Sequence, residues 1–524
     1  MKKKYLNIML FLLLTIFYFE YSVTITWDSA HYLEYVKILE KIVPFSSWDV
    51  VRGPIFPLII YFSNLLFSKS NHGLLVLTYL YYLLMLLFAY KIVDAFFDKF
   101  HISIKFDNVI KCSVIVLIIV NPIIYGYYHC LLTEFVAITL GVISCYFSVV
   151  WLDTDFYKER NKYILLSLLF IFLTLVSWFL KQPYVSCGFF ALFVSYIISF
   201  FQYKNKKQFL IRSVTVLSCV VCLFIGIRMW NYVLDTNGND TSTTRNPTNS
   251  LGNQLINAVG FLEVNNNKTI YDVDFINISK LNAKEKKEVL KLLDEDYKYV
   301  LIYKYNKNKK IYDVDYIRSN TGETVSTMSS LLYIMKIFFQ HPIKLLHSYV
   351  INYFSIIDIY GTTTLDGVGY TSTKKFDINF SNEITSIGNK PYYNGSNLFS
   401  LSDNLYQNAV YYEEPNYTNK VFNYGMVGLS RIVLYIFKML FFLLPIILVW
   451  SVVMRFLTKI KKNYFVFNMF IILFGFSFLH ILLHTVTGAI IDRYALPAFI
   501  PTFIGFVLFL IFVISSYKTK KHKK

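Results

Sequence analysis

The chain is poor in charged residues, and this shortage decides its class. Asp, Glu, Lys and Arg make up 16% of its 524 residues, whereas a soluble domain carries about 25%. Hydrophobic residues make up 55%, with 49 Phe and 43 Tyr. Several apolar runs reach the ~20 residues that a helix needs to cross a bilayer core of about 30 Å. The composition excludes a soluble globular protein and predicts a mainly α-helical, polytopic membrane protein.

Cysteines are few and scattered along the chain. The six are Cys112, Cys130, Cys145, Cys187, Cys219 and Cys222. The long polar segment 231–430 contains none of them, and the single C-x-x-C lies inside an apolar run, where a redox role is not expected. This pattern excludes a disulfide framework and a cysteine-rich metal site.

Acidic residues are also scarce, because 33 Asp and Glu stand against 51 Lys and Arg and leave a net charge of +18. The basic residues form short groups between the apolar runs, where they set membrane topology. The charge therefore does not indicate a nucleic-acid partner. No small-residue cleavage site follows the first apolar run, which we interpret as an uncleaved first span.

Hydropathy predicts about ten transmembrane helices. They lie near residues 5–25, 74–97, 108–127, 131–151, 163–180, 183–201, 209–230, 431–453, 464–487 and 497–516. With this assignment the basic groups all fall on one side of the membrane, as the positive-inside rule requires for the cytoplasm. The pattern predicts a multi-pass protein of the cell membrane with both termini in the cytoplasm.

The same topology divides the chain into three regions. Residues 1–230 form an N-terminal transmembrane module that includes the first outer loop, residues 26–73. Residues 231–430 form an extracytoplasmic domain, and residues 431–524 contain the last spans and a basic cytoplasmic tail. Within the outer loop, segment 54–67 is apolar but short, which predicts a helix at the membrane interface.

The extracytoplasmic segment is rich in Asn, Thr, Asp, Lys and Tyr. It contains strand-like runs at 299–305 and 310–317 and a helical run at 282–293, which together predict an α+β domain. From 329 to 359 the pattern is amphipathic and is interrupted at His341-Pro342. This predicts two juxtamembrane helices at the end of the domain.

Two carboxylates are predicted at the outer face. Asp28 opens the first outer loop, and Glu134 follows a short outer turn two predicted spans later. A carboxylate at a membrane boundary is costly when it is buried without a partner, so a functional role is favoured. Such a pair can deprotonate a hydroxyl group or hold a divalent cation such as Mg²⁺ or Mn²⁺.

Cationic and imidazole groups join the carboxylates on the predicted outer face, together with two tyrosines. These residues are His31, Tyr32, Arg52, Lys181, His484, Arg493 and Tyr494. Arg and Lys can hold a phosphate, and Arg can do so with two parallel hydrogen bonds. The combination indicates transfer of a sugar from a lipid-linked phosphate donor, whose lipid lies in the bilayer, to a hydroxyl acceptor.

Four short matches, taken in order, resemble a known family. They are the acidic-x-x-x-Tyr start from Asp28 to Tyr32, Arg52-Gly53-Pro54-Ile55-Phe56-Pro57, Leu132-Thr133-Glu134, and Lys181-Gln182-Pro183 with Arg493-Tyr494-Ala495-Leu496-Pro497. In this order they are similar to elements of the membrane-embedded glycosyltransferases of the GT-C superfamily. The nearest likeness is to the bacterial relatives of protein O-mannosyltransferases and of lipid A aminoarabinose transferases. The resemblance covers residues 1–230 and 431–510 and leaves 231–430 unmatched.

The resemblance implies a role for each site residue. Asp28 would be the catalytic base or a metal-associated carboxylate, and Glu134 its supporting partner. The donor is then a polyprenyl-phospho-sugar, and the acceptor is a glycan, a glycolipid or a protein. The residues implied at the donor site are His31, Tyr32, Arg52, Lys181, Arg493 and Tyr494. Two positions depart from the family pattern, since Gly53 replaces a proline and His31 stands where relatives often have arginine.

Several of these residues also have a structural interpretation. Glu134 can be a charge favoured by a helix N-terminus, and Lys181 and Arg493 can be interfacial residues that extend toward water. His480 and His484 lie four residues apart on one helix, a spacing that suits a metal. Because no acidic residue accompanies them on that helix, we interpret the histidine pair as structural.

Two other functions are compatible with the general layout. An envelope polysaccharide polymerase or ligase also combines many spans with a large outer loop, but it usually relies on arginines and histidines of that loop. A transporter or lipid flippase predicts charges at mid-membrane, inverted repeats and broken helices. The sequence shows none of these three features convincingly, so a glycosyltransferase is the leading hypothesis.

Overall fold

Long apolar helices dominate the computed structural model. It describes residues 14–16, 18–19, 27–67, 71–100, 107–119, 121–202, 206–241, 251–252, 255, 258, 262–265, 273–276, 299–306, 311–319, 327–340, 342–357, 420–458, 461–487 and 492–521. Within these residues, eight helices are long and apolar enough to cross a membrane. The chain is therefore mainly α-helical and has the features of a multi-pass membrane protein, as the sequence predicts.

The helices and strands follow one another in a simple order. They are α1 Trp27–Leu39, α2 Ile55–Phe67, α3 Asn71–Phe100, α4 Asp107–Ile119, α5 Pro122–Tyr128, α6 Thr133–Asp153, α7 Arg160–Leu180, α8 Val185–Gln202, α9 Lys206–Thr236, β1 Leu262–Asn265, β2 Val273–Ile276, β3 Tyr299–Asn306, β4 Ile311–Ser319, α10 Thr327–Gln340, α11 Pro342–Ile357, α12 Lys420–Leu457, α13 Lys461–Thr487 and α14 Leu496–Lys521. Short 3₁₀ turns at Phe45–Ser47, Gln182–Tyr184 and Asp492–Ala495 join some of them.

Eight of the ten predicted spans correspond to the eight long helices. The predicted span at 5–25 lies almost wholly outside the described residues. The predicted interfacial segment 54–67 is helix α2, which is too short to cross a bilayer core. Hydropathy and length therefore identify the long helices of this chain correctly.

The segment 108–127 is not one helix but two, α4 and α5, and the prediction of a continuous span is wrong here. The side-chain oxygen of Asn121 accepts hydrogen bonds from the backbone N–H groups of Ile123 at 3.1 Å and Ile124 at 3.3 Å. This is the bonding of a helix N-cap. Pro122 takes the first helical position, where its missing N–H removes no hydrogen bond. A hydropathy window does not register such a cap.

Two antiparallel β-hairpins lie between α9 and α10 in the sequence. β1 pairs with β2, and β3 pairs with β4, the latter two covering the strand-like runs at 299–305 and 310–317. The helical run at 282–293 lies outside the described residues, so the α+β extracytoplasmic domain stays a prediction. Helices α10 and α11 follow and are separated at residue 341, where the sequence predicts the interruption.

Helix α6 is the central helix of the bundle. It packs against α3, α8 and α14, and 83% of its apolar window is buried. In α9 the corresponding share is 17%, so most of that helix faces outward. Because α6 begins at Thr133, the acid Glu134 stands at the end of the most buried of the long helices.

Basic residues of α3, α4 and α9 have specific partners, and those of α3 and α9 meet the C-terminal end of α6. The Lys99 ammonium lies 3.1 Å from the Asp153 carboxylate, and the Lys111 ammonium lies 2.7 Å from that of Asp94. The buried Arg212 guanidinium donates to three carbonyl oxygens at the C-terminal end of α6. All three basic residues belong to groups that topology assigns to the cytoplasm, and Glu134 lies at the opposite end of the same helix.

Candidate active site at one end of the helix bundle

The start of α1 contacts the turn that leads into α6. The Ser29 hydroxyl donates to the Leu131 carbonyl oxygen at 2.6 Å, and Ser29 is completely buried. Asp28 is the neighbour of Ser29 near the start of α1, and Glu134 follows Leu131 near the start of α6. This hydrogen bond brings the backbone segments of the two predicted acids together. The side chains of Asp28, His31 and Arg493 lie outside the described part of the structure.

Three aromatic rings extend this contact. The rings of Tyr32 and Phe56 meet edge to face with centroids 4.7 Å apart, and Phe56 meets Phe135 at 5.8 Å. Tyr32 belongs to α1, Phe56 to α2, and Phe135 to α6, directly after Glu134. Aromatic pairs of this geometry contribute beyond the area that they bury. They join α1, α2 and α6 next to the predicted acids.

Glu134 is completely buried in the first turn of α6. The Thr133 hydroxyl donates to its Oε2 oxygen at 3.2 Å. The partial positive charge of the helix N-terminus favours a carboxylate at this position. The structural and the functional interpretations of Glu134 are therefore compatible, because the same helix end that stabilises the charge also presents it near the start of α1.

Arg52 lies in the loop between α1 and α2 and reaches back to α1. Its Nη1 donates to the Tyr32 hydroxyl at 3.2 Å, and its guanidinium carbon lies 5.4 Å from the centre of the Tyr32 ring. The Arg52 backbone is held on both sides, since its N–H donates to the Asp49 carbonyl at 3.0 Å and its carbonyl accepts from Trp48 Nε1 at 2.8 Å. The loop thus presents Arg52 in one place beside Tyr32.

The same loop rests on the turn that follows α7. Gln182 Nε2 donates to the Val51 carbonyl at 3.2 Å. Gly53 lies directly on the backbone of Phe179, where a Cβ atom on residue 53 would stand 1.9 Å from the Phe179 carbonyl oxygen. No residue with a side chain fits this contact without moving the backbone. The closeness explains why position 53 holds glycine.

Aromatic packing fixes the loop between α1 and α2 on α9. Trp48 meets Trp230 with ring centroids 5.6 Å apart, and Phe45 meets Trp230 at 6.3 Å. Asn239 Nδ2 also donates to the Phe45 carbonyl at 3.3 Å. The loop is therefore packed against the bundle, and not merely attached at its two ends.

A second group of residues surrounds Tyr494, which is buried in the 3₁₀ turn before α14. The Lys181 ammonium lies 5.0 Å from the centre of the Tyr494 ring, and the Tyr184 ring meets that ring edge to face at 5.7 Å. The Tyr494 ring also lies 5.2 Å from the His484 ring. Two of the motifs singled out in the sequence, Lys181-Gln182-Pro183 and Arg493-Tyr494, therefore meet in space.

His480 of α13 links α8 to the turn before α14 through both of its ring nitrogens. Nε2 lies 2.6 Å from the Tyr494 carbonyl oxygen, and Nδ1 lies 2.5 Å from the Ser186 hydroxyl. Because a carbonyl can only accept, the proton belongs on Nε2, and Nδ1 accepts from Ser186. Both nitrogens are engaged, which agrees with a structural role for this histidine.

The turn before α6 has its own support. The two nitrogens of the His129 ring lie 2.9 Å from the carbonyl oxygens of Tyr125 and Tyr18. Burial lowers the pKa of His129 to about 4, although both carbonyls oppose the shift. The ring lies against both carbonyl oxygens and braces the chain just before the Leu131 contact.

Metal binding at the predicted acids stays a prediction. Across the described residues, no group of three or more His, Cys, Asp or Glu side chains could hold a metal ion. The side chain of Asp28, one of the two predicted ligands, lies outside the described part of the structure.

Sequence reasoning missed the residues that position the site. In the sequence, Ser29 and Gln182 stand out only as neighbours of a charged residue, and nothing marks Ser186. The signal for Gln182 is its place inside the Lys-x-Pro turn. Ser186 and its partner His480 are 294 residues apart in the chain, and no local pattern indicates a pair that distant.

Comparisons with protein-family models, with curated proteins and with solved structures found no match for this chain. The resemblance to GT-C enzymes therefore rests on the quoted motifs alone.

The contact between Ser29 and Leu131 gives a direct test of positioning. We expect Ser29→Ala to lower the catalytic rate of the candidate site by roughly tenfold to 100-fold, because a displacement of about 1 Å in a reacting group can cost that much. The free energy of unfolding should fall by only about 1 kcal/mol, the usual value of one hydrogen bond.

Ser195→Ala is the matched control for this variant. Ser195 is also completely buried, and its hydroxyl donates to a carbonyl of another helix, that of Ser148, at 3.3 Å. Thermal unfolding in detergent and the catalytic rate should be measured for both variants. Equal activity in the two would contradict a positioning role for Ser29.

Proposed function

We propose that this chain is an integral membrane glycosyltransferase. It transfers a sugar from a polyprenyl-phosphate-linked donor to a hydroxyl acceptor on the extracytoplasmic face of the cell membrane. The observation that carries the proposal is the hydrogen bond between Ser29 and Leu131, which joins the segments bearing Asp28 and Glu134. Further support comes from the contact of Gln182 with Val51, which joins the loop of Arg52 to the turn of Lys181.

The residues suggest a simple reaction. A carboxylate removes the proton from the acceptor hydroxyl, and the resulting oxygen attacks the anomeric carbon of the donor sugar. The bond between that carbon and the phosphate oxygen breaks, and polyprenyl phosphate leaves with the electron pair. Asp28 is the proposed base, and Glu134 its supporting carboxylate. One in-line displacement of this kind inverts the configuration of the sugar.

The basic residues have a separate task in this reaction. Negative charge grows on the leaving phosphate as the bond breaks, and fixed cations stabilise it most effectively where water is excluded. The residues proposed for this task and for holding the donor are His31, Tyr32, Arg52, Lys181, Arg493 and Tyr494. Arg52 is suited to it because Tyr32, Asp49 and Trp48 already hold its side chain and backbone in place.

The membrane arrangement completes the proposal. We propose about ten membrane crossings, one of them made by the two shorter helices α4 and α5, with both termini in the cytoplasm and an α+β extracytoplasmic domain formed by residues 231–430. The eight long apolar helices and the basic residues that meet the C-terminal end of α6 support this arrangement. It puts the candidate site at the outer face, where a lipid-linked donor can present its headgroup.

The decisive experiment is a transfer assay on the full chain in proteoliposomes. Polyprenyl phosphates bearing radiolabelled hexose or pentose are supplied together with a cell-envelope extract as acceptor. We expect the label to move from the lipid fraction to a glycan, glycolipid or protein fraction. The loss of one envelope glycan from a strain lacking the gene would then identify the acceptor.

The same vesicles separate the competing functions. A transporter or flippase would carry labelled solute or lipid across the bilayer without forming a new glycosidic bond, and that result would overturn the proposal. A polymerase or ligase would produce long chains or move a finished glycan, whereas the proposed enzyme adds a single sugar. Product size on a gel distinguishes these last two.

A further inference from the structure

His484 is a buried imidazole without a hydrogen bond to any described residue. Its side chain is 1% exposed, and neither ring nitrogen has a partner in the described part of the chain. His480, one helical turn earlier, uses both of its nitrogens. A buried polar group that lacks a partner destabilises the folded protein. The unpaired imidazole, one helical turn from a fully hydrogen-bonded one, therefore indicates that His484 binds a ligand.

The surroundings of His484 define what kind of ligand fits. Its ring lies between two others, with centroids 4.9 Å from His480 and 5.2 Å from Tyr494. The Lys181 ammonium lies beside the same Tyr494 ring, 5.0 Å from its centre. A cation and an imidazole N–H are both donors, so the group that joins them is an acceptor with negative charge.

A phosphoryl group meets this requirement well. Its several oxygens can accept from an imidazole and from an ammonium at the same time, and each such hydrogen bond is assisted by charge. A metal ion does not suit the place, because His480 is already engaged and Lys181 would repel a cation. Asn352 closes the neighbouring side by donating to the Thr485 carbonyl at 3.3 Å.

We infer that His484 is a phosphate-binding residue of the candidate site and acts together with Lys181. The inference rests on the proposed function for the source of the phosphate, which is the polyprenyl phosphate of the donor. His484 donates to a phosphate oxygen, and Lys181 balances its charge. His480 is a positioning residue, because its hydrogen bonds to Tyr494 and Ser186 hold the segments around the phosphate site in place.

The sharpest variant is His484→Phe. Phenylalanine keeps a ring against Tyr494 but removes both nitrogens, so the buried polar group disappears. We expect the ligand-free protein to become more stable, while phosphate binding weakens by about tenfold to 100-fold, the value of one hydrogen bond to a charged group. Removal of a purely structural histidine would not raise the stability of the ligand-free protein and at the same time lower its affinity for phosphate.

The control is Thr487→Ala in the same end of α13. The Thr487 hydroxyl donates only within its own helix, to Leu483 at 2.8 Å. The full chain in nanodiscs is titrated with polyprenyl phosphate, with the matching polyprenol and with inorganic phosphate, and thermal stability is recorded without ligand. Wild type and Thr487→Ala should bind polyprenyl phosphate equally, and polyprenol binding should be the same in all variants.

Each outcome has a defined meaning. Unchanged polyprenyl phosphate binding in His484→Phe would overturn the inference, even if wild-type protein transfers sugar. Dependence of inorganic phosphate binding alone on His484 would overturn the assignment to the donor lipid. A third outcome is that His484→Phe weakens polyprenyl phosphate binding while the wild-type protein transfers no sugar. That result would support the phosphate site and reject the proposed function.

Discussion

Replacement of Asp28 by asparagine should abolish sugar transfer while the protein still inserts into the membrane. An amide has nearly the shape of a carboxyl group but cannot take a proton from the acceptor hydroxyl. Loss of a general base typically costs about 10²–10⁴-fold in rate. The rate of label transfer in proteoliposomes measures the effect, and immunoblotting of the membrane fraction shows that the variant is present.

Asp49→Asn is the matched control for this substitution. Asp49 lies in the same outer loop, and its Oδ1 accepts from the Val51 N–H at 3.1 Å, a bond that an amide oxygen can also accept. We expect its activity to stay within about twofold to threefold of wild type, the usual range of context effects at such sites. If Asp28→Asn retains full activity, Asp28 is not the base, and Glu134→Gln then tests the second acid.

Gly53→Ala should be nearly as damaging, for a mechanical reason. The added Cβ would stand 1.9 Å from the Phe179 carbonyl oxygen, so the loop and the end of α7 must separate. We expect a loss of at least about 1–3 kcal/mol in the free energy of unfolding, as for other overpacked sites. Transfer should fall by about 100-fold, since Arg52 moves with the loop. Thermal unfolding and transfer rate measure the two effects.

Gly226→Ala is the control, because Gly226 of α9 also packs against α7 near Phe179. A Cβ on residue 226 would meet side-chain atoms only, Leu175 at 3.0 Å and the Phe179 ring at 3.2 Å. These atoms can move by a few tenths of an ångström, and alanine gains about 1 kcal/mol of helix propensity over glycine. We expect this variant to be at least as stable as wild type. If both glycine variants behave alike, contact of Gly53 with the Phe179 backbone does not determine the loop position.

The long helices could be predicted from the sequence because length and hydrophobicity are local properties. The runs at 133–153 and 464–487 each contain enough apolar residues for a span, whatever surrounds them. The error at 108–127 has an equally local cause. Asn121 and Pro122 start a new helix through one side chain and one missing N–H, and neither changes the mean hydropathy of the segment.

The candidate site could be predicted only in outline. Counting the spans indicates which loops share a face, and the contacts Ser29–Leu131 and Gln182–Val51 do join loops assigned to the same side. The contacts themselves could not be predicted, because each joins residues more than 100 positions apart. The reason for glycine at position 53 is also absent from the sequence, because it lies in the contact of Gly53 with the Phe179 backbone.

The docking of the outer loop also has a consequence for the order of assembly during synthesis. Val51 and Gln182 are separated by 131 residues, and Ser29 and Leu131 by 102. Chains enter the membrane from the N-terminus, at about 5–20 residues per second. The loop between α1 and α2 therefore exists for seconds before α7 is inserted and the loop can close on Phe179. A ribosome-bound chain that ends before residue 180 should hold Arg52 accessible to protease, and a longer one should protect it.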